Sequence, residues 1–279
     1  MSVLQADEEE LGLSEDTLRA LKEFASLNLG LDPNAADFRR TVQDAMDTIP
    51  RNENFTFNFT SDAPQTQPGA GDAVTVELSG VSPELGQTLA STGLTVWTAA
   101  RHLAHYLFHI RDQIAARTVI ELGAGLGLCG ILCAKLGGSV VVTDGGDEFT
   151  DEALGALVEQ VERNRSVTAA AFECAVERLT WGDHDAFLKA HREGFDVVIA
   201  ADVIYEAEAV VPLLSTVTAL LQAKPRARFL LGYTHRNVNI DRVWQEAHAR
   251  GLDWREIADD FSGSESAAQI YEVRLKEEQ

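Results

Sequence analysis

Cysteine is scarce in this 279-residue chain, with three residues at positions 129, 133 and 174. So few thiols argue against a disulfide framework and for a reducing, cytoplasmic home. Cys129 and Cys133 stand about one helical turn apart, which places them on a shared face as small buried hydrophobes. No apolar run approaches the ~20 residues of a membrane span. The first ten residues carry neither a basic region nor a long apolar core, so no secretory signal is expected. Basic residues are also few: 23 Lys and Arg against 44 Asp and Glu leave a net charge of −21. Phosphate backbones would be repelled, which disfavours a general nucleic-acid binder. A basic protein partner would be attracted instead. The plainer reading of the same acidity is solubility.

What is present is organised in two parts. Residues 1–90 read as an acidic tail, two helices and a β-hairpin. Ser14 caps the first helix, which runs to Gly30; Asp32-Pro33 starts the second, which Pro50 ends. Phe55, Phe57 and Phe59 alternate with polar residues, as do Val74, Val76 and Leu78, so 55–78 reads as a hairpin with a long turn. Residues 91–279 alternate between two periodicities. A helix from Trp97 to about Ile110 carries His102, His105 and His109; a metal site there lacks acidic or cysteine partners nearby, and amphipathic filler is the better reading. Strands are expected at Thr118–Leu122, Ser139–Thr143, Phe172–Glu177, Asp196–Ala200 and Arg228–Tyr233. Helices are expected near 128–136, 150–164, 184–192, 207–222 and 238–250. Such alternation predicts a mainly parallel sheet covered on both faces. Asp253–Ala258 and Ala268–Leu275 flank a turn-rich segment and predict an antiparallel hairpin that closes the sheet.

The chemistry concentrates in Glu121-Leu-Gly-Ala-Gly-Leu-Gly127. An acidic residue ends an apolar run and leads into a glycine turn, where Gly123 and Gly125 let backbone approach a ligand. The helix that follows offers N–H groups to an anion, and the carboxylate suits a cation. A ligand with both charges, such as the amino-acid end of S-adenosylmethionine, fits this pairing. Gly125, Gly127 and Gly130 also satisfy the dinucleotide fingerprint. Glu121, however, stands where a pyrophosphate would be repelled, and the terminal hairpin is not a dinucleotide-fold ending. Asp144, at the end of the second strand, can accept from ribose hydroxyls in either cofactor. Trp181, after the third strand, can border an adenine or fill the core. Asp202 and Tyr205 follow the fourth strand, where ligands bind in doubly wound sheets. They could face a transferring methyl group together, or serve as a helix cap and a packed ring.

Together these pieces resemble the seven-β-strand methyltransferases of family 16, the protein-lysine methyltransferases with an Asp-x-x-Tyr motif after a strand. The matching segments are Thr95-Val-Trp97, Glu121–Gly127, Val142-Thr-Asp144, Asn164, Leu179-Thr-Trp-Gly182 and Asp202-Val-Ile-Tyr205. They occur in the family's order over roughly 90–235, with an extension to 275 expected. The link after Asp144 is longer and more acidic than is usual there, and the first 50 residues fall outside the match.

The resemblance implies a Rossmann-like α/β fold with a seven-stranded sheet, mainly parallel, ending in an antiparallel hairpin. It implies S-adenosylmethionine as cofactor. Trp97, Glu121, Gly123, Ala124, Gly125, Asp144, Trp181 and Ala201 would bind it, with Asp144 on the ribose and Trp181 beside the adenine. Asp202 and Tyr205 would line the channel of a target lysine, with no metal involved. Asp202 would attract and position the amine, since alignment and desolvation are most of what a sulfonium electrophile requires. The partner would be a protein substrate, by analogy a translation factor or chaperone. Other acceptors (a protein histidine or a small molecule) and a catalytically silent cofactor-fold module are the competing readings.

Overall fold

A computed structural model describes residues 53–60, 73–81, 93–145, 150–166, 171–235, 238–258 and 268–276. The two expected helices before Pro50 lie outside these residues. Residues 54–80 and those from 93 onward belong to one compact unit. Its elements are β1 (Glu53–Thr60), β2 (Ala73–Gly80), α1 (Thr98–His109), β3 (Thr118–Leu122), α2 (Leu128–Lys135), β4 (Ser139–Asp144), α3 (Thr150–Ser166) and β5 (Glu173–Arg178). There follow α4 (Asp185–Ala190), β6 (Val197–Ala201), α5 (Val210–Ala223), β7 (Arg228–Thr234), α6 (Ile240–Ala249), β8 (Leu252–Ile257) and β9 (Ala268–Leu275).

Seven strands form one sheet in the order β5-β4-β3-β6-β7-β9-β8. The first five are mutually parallel, and β9 runs antiparallel to both β7 and β8. The central strands β3, β6 and β7 are almost wholly buried, as their continuous apolar runs require of a parallel sheet covered on both faces. The two faces of β7 show the alternation that sorts the two layers. Leu230 packs with residues of α1 and α2, whereas Phe229, Leu231 and Tyr233 pack with residues of α5 and α6.

The expected helix over 207–222 divides. Ala207–Ala209 is a single 3₁₀ turn, and the α-helix starts at Val210. Pro212 falls in its first turn, where a missing N–H costs nothing. The helix expected over 184–192 contracts to Asp185–Ala190. Among the three helical histidines, His102 is buried, while His105 lies edge-on to Phe59 with ring centres 5.2 Å apart.

The hairpin strands pair in a two-stranded sheet and pack on the main unit. The aromatic stripe of β1 faces α1: Phe59 is buried against Phe108, and Arg101 stands over the Phe57 ring at 5.8 Å. β2 lies over α2 and α3. This second cover explains why Leu128–Ala134 is buried on every side, Cys129 and Cys133 included. Two amides on α3, one turn apart, read the edge of β2. Asn164 Oδ1 accepts from Glu77 N at 3.1 Å while its Nδ2 donates to Glu77 O at 2.7 Å, and Gln160 Oε1 accepts from Ser79 N at 2.8 Å. The side chains thus supply the ladder that a further strand would provide. Among the described residues no helix is long and apolar enough to cross a membrane.

Candidate active site

The glycine turn leaves the carboxyl end of β3 through three left-handed residues, with φ of 62° at Gly123, 53° at Gly125 and 78° at Gly127. Such values are costly for any residue with a Cβ. At Gly123 space is limiting as well. A Cβ there would stand 2.8 Å from Val203 Cγ1 and 3.0 Å from Trp181 Cζ2. The absent side chain therefore lets the turn, the Trp181 segment and the segment after β6 converge. A Cβ on Gly125 would meet the Gly93 carbonyl at 3.1 Å. Ala124 N donates to Thr143 O at 2.9 Å, tying the turn to the end of β4.

Asp144 fixes the same turn. Its Oδ2 accepts from Gly125 N at 2.7 Å and its Oδ1 from Gly145 N at 2.8 Å. Glu121 is turned inward, 3% exposed, and its Oε2 accepts from Gly130 N at 2.8 Å in the first turn of α2. Gly130 allows that approach: a Cβ would lie 2.2 Å from Val142 Cγ1 and 2.7 Å from the Glu121 carboxylate. Burial pushes the Glu121 carboxyl up to about 8; the Gly130 N–H opposes this and the nearby Asp144 charge adds to it. Burial also raises the Cys129 and Cys133 thiols, with the Glu121 charge contributing. These cysteines are inert packing groups.

Asp202 follows β6 and is 9% exposed. Its φ is 56°, left-handed although it is not glycine. Such strain costs on the order of 1–3 kcal/mol and persists where surrounding bonds enforce it. Two bonds do so here. Asp202 N donates to Gly232 O at 3.0 Å, and Oδ2 accepts from Ala99 N at 2.8 Å in the first turn of α1. The carboxylate thereby satisfies a helix-terminal N–H and faces the positive end of the helix. Trp97, the residue preceding α1, is half-buried beside this junction in the chain. Ala201 ends β6, paired with Gly232. Tyr205 is 39% exposed, at the outer end of the same segment.

The structure thus gathers Glu121, Gly123, Ala124, Gly125, Asp144, Ala201 and Asp202 at the carboxyl ends of the adjacent strands β4, β3 and β6. Trp181 joins them across Gly123. Tyr205 stands on the exposed rim. Sequence reasoning missed Gly93 and Val203, which come to this edge through contacts distant in the chain. A separate cleft of about 740 Å³ opens at the opposite edge, where Thr118, Ser139 and Glu173 begin their strands. Glu177 and His191, paired there at 3.0 Å, also line it. It contains none of the expected ligand residues, in keeping with the rule that ligands bind beyond the carboxyl ends.

The chain matches the family model described as lysine methyltransferase over residues 84–250, and it belongs to that family. It is 32% identical over 147 residues to the histone-arginine methyltransferase METTL23 of Xenopus laevis, covering 53% of this chain and 59% of that protein. It is 35% identical over 126 residues to the protein N-lysine methyltransferase METTL21A of Danio rerio, covering 45% and 54%. The chain therefore spans less than two thirds of the length of these curated relatives. A solved glycopeptide N-methyltransferase, MtfA complexed with sinefungin, is similar at 14% identity and a TM-score of 0.47, covering 64% of this chain and 93% of that one.

The methyl donor of the family is S-adenosylmethionine, and the residues present fit it. The missing side chain at Gly123 lets Val203 and Trp181 close on the turn where the ligand would sit. Asp144 presents a carboxylate at the end of β4, and Trp181 offers an apolar wall against the turn. The domain is that of an S-adenosylmethionine-dependent methyltransferase.

Proposed function

We propose that the protein methylates a lysine side chain of another protein in the cytoplasm. The observation that carries this reading is Asp202, held in a strained conformation beside the glycine turn by both the sheet and the first turn of α1. S-adenosylmethionine, when bound, supplies an electrophilic methyl group on a sulfonium. Gly123, Ala124 and Gly125 admit its amino-acid end, Asp144 takes the ribose, Trp97, Trp181 and Ala201 complete the binding wall, and Glu121 supports the turn from behind through Gly130 N. Asp202 places a fixed negative charge where an ammonium would enter. A free lysine has a pKa near ~10.4, so the amine must shed a proton before it attacks. Orientation of that amine, and exclusion of water around it, is the work left to the protein. Tyr205 on the rim shapes the entrance. The acidic surface favours a basic target, and by family analogy a translation factor or chaperone is a natural one.

Arginine is the second reading, favoured by the similarity to METTL23. Tritiated S-adenosylmethionine, a methyl-depleted lysate and acid hydrolysis of the labelled band separate the two. Methyl-lysine formed by wild type and not by Asp202→Ala supports the proposal. Methylarginine transfers it to the second reading, and absence of any labelled protein overturns both.

A further inference from the structure

We propose that Thr234 is a further acceptor-binding residue, its hydroxyl taking one N–H of the incoming amine while Asp202 takes another. The inference rests on the methyltransferase reading above and extends it to β7. The Thr234 Oγ1 atom is buried, and it makes no hydrogen bond among the described residues. Buried hydroxyls in folded proteins nearly always have a partner, and an unmatched one at a ligand edge points to the ligand.

Its position follows from the sheet. Thr234 is the last residue of β7 and by alternation shares a face with Leu230 and Gly232. That face lies under the first turns of α1: a Cβ on Gly232 would stand 3.0 Å from Ala99 O and 3.2 Å from Leu103 Cβ. Asp202 meets the same place from β6, through Gly232 O and Ala99 N. Thr234 and Asp202 therefore flank one helix terminus from the ends of adjacent strands. A neutral amine has two N–H groups and one lone pair. With one N–H on the Asp202 carboxylate and the other on Thr234 Oγ1, the lone pair is the single direction left free. Two anchors fix that direction, whereas a carboxylate alone leaves the amine free to rotate about one bond. A hydroxyl suits this task because it accepts without adding a second charge.

The test uses the intact protein and no protein substrate. Sinefungin carries an amino group where S-adenosylmethionine carries its transferable methyl, and S-adenosylhomocysteine has neither. Calorimetry gives the ratio of the two affinities for wild type, Thr234→Val and Thr234→Ser. The expected result is S-adenosylhomocysteine binding within about twofold in all three, a roughly tenfold loss of sinefungin preference in the valine variant, and its recovery in the serine variant; tenfold corresponds to about 1.4 kcal/mol. Thr234→Ala reads the same loss if the valine variant does not fold. An unchanged ratio in the variant lacking the hydroxyl overturns the proposal. Wild-type protein that binds neither compound overturns the methyltransferase reading itself, and this proposal with it.

Discussion

Replacing Glu121 with glutamine should make the protein more stable at alkaline pH, by an amount the structure sets. The carboxyl is buried, its Oε2 faces Gly130 N, the charge that acts on it is the Asp144 carboxylate, and the thiols of Cys129, Cys133 and Cys174 around it are neutral. None of these is a cation. Its pKa is raised from 4.5 to about 8. Below pH 4.5 the carboxyl is neutral in both folded and unfolded chains and costs nothing. Between 4.5 and about 8 the unfolded chain has lost the proton and the folded protein keeps it, so stability falls with rising pH by about 1.4 kcal/mol per pH unit. Above 8 the loss is complete, about 4–5 kcal/mol in all. Glutamine stays neutral throughout, and its carbonyl oxygen can still accept from Gly130 N. Urea unfolding of both proteins across pH 5 to 8 measures the difference. The two stabilities should nearly coincide near pH 5 and diverge steadily toward pH 8, with the variant above. Parallel curves would show that Glu121 is not neutral in the folded protein and would refute the burial argument.

Other perturbations are equally specific. Gly123→Ala forces a Cβ against Val203 and Trp181 in a left-handed residue; S-adenosylhomocysteine affinity should fall about tenfold or more while circular dichroism stays native. Asn164→Leu removes three hydrogen bonds and strands the N–H and C=O of Glu77; urea unfolding should show a loss of about 2–4 kcal/mol, with cofactor affinity unchanged.

Much of this architecture is legible in the sequence because the signals are local. The strand Thr118–Leu122 has the expected bounds, and Ser139–Asp144, Val197–Ala201 and Arg228–Thr234 differ from them by a residue. Their apolar runs are too short for helices and too continuous for an exposed sheet. The glycine turn is legible for the same reason, since its sequence is its geometry. What fixes the site around that turn is not local. The Asp202 carboxylate finds Ala99 across 103 residues, and Asn164 finds Glu77 across 87. A pattern read along the chain singles out Asp202 as a candidate but cannot say that it also caps α1. Thr234 gives no signal at all in sequence, because an ordinary threonine at a strand end becomes informative only when its hydroxyl is seen to be buried.

The amides of Gln160 and Asn164 have a consequence for how this chain can change. Because they fix Glu77 and Ser79 from a helix, the alignment of β2 does not depend on the connection that joins it to β1. A register set this way is insulated from insertions and deletions between residues 60 and 73. That connection is therefore the place to splice in an epitope, a fluorophore site or a foreign loop while the glycine turn keeps its shape.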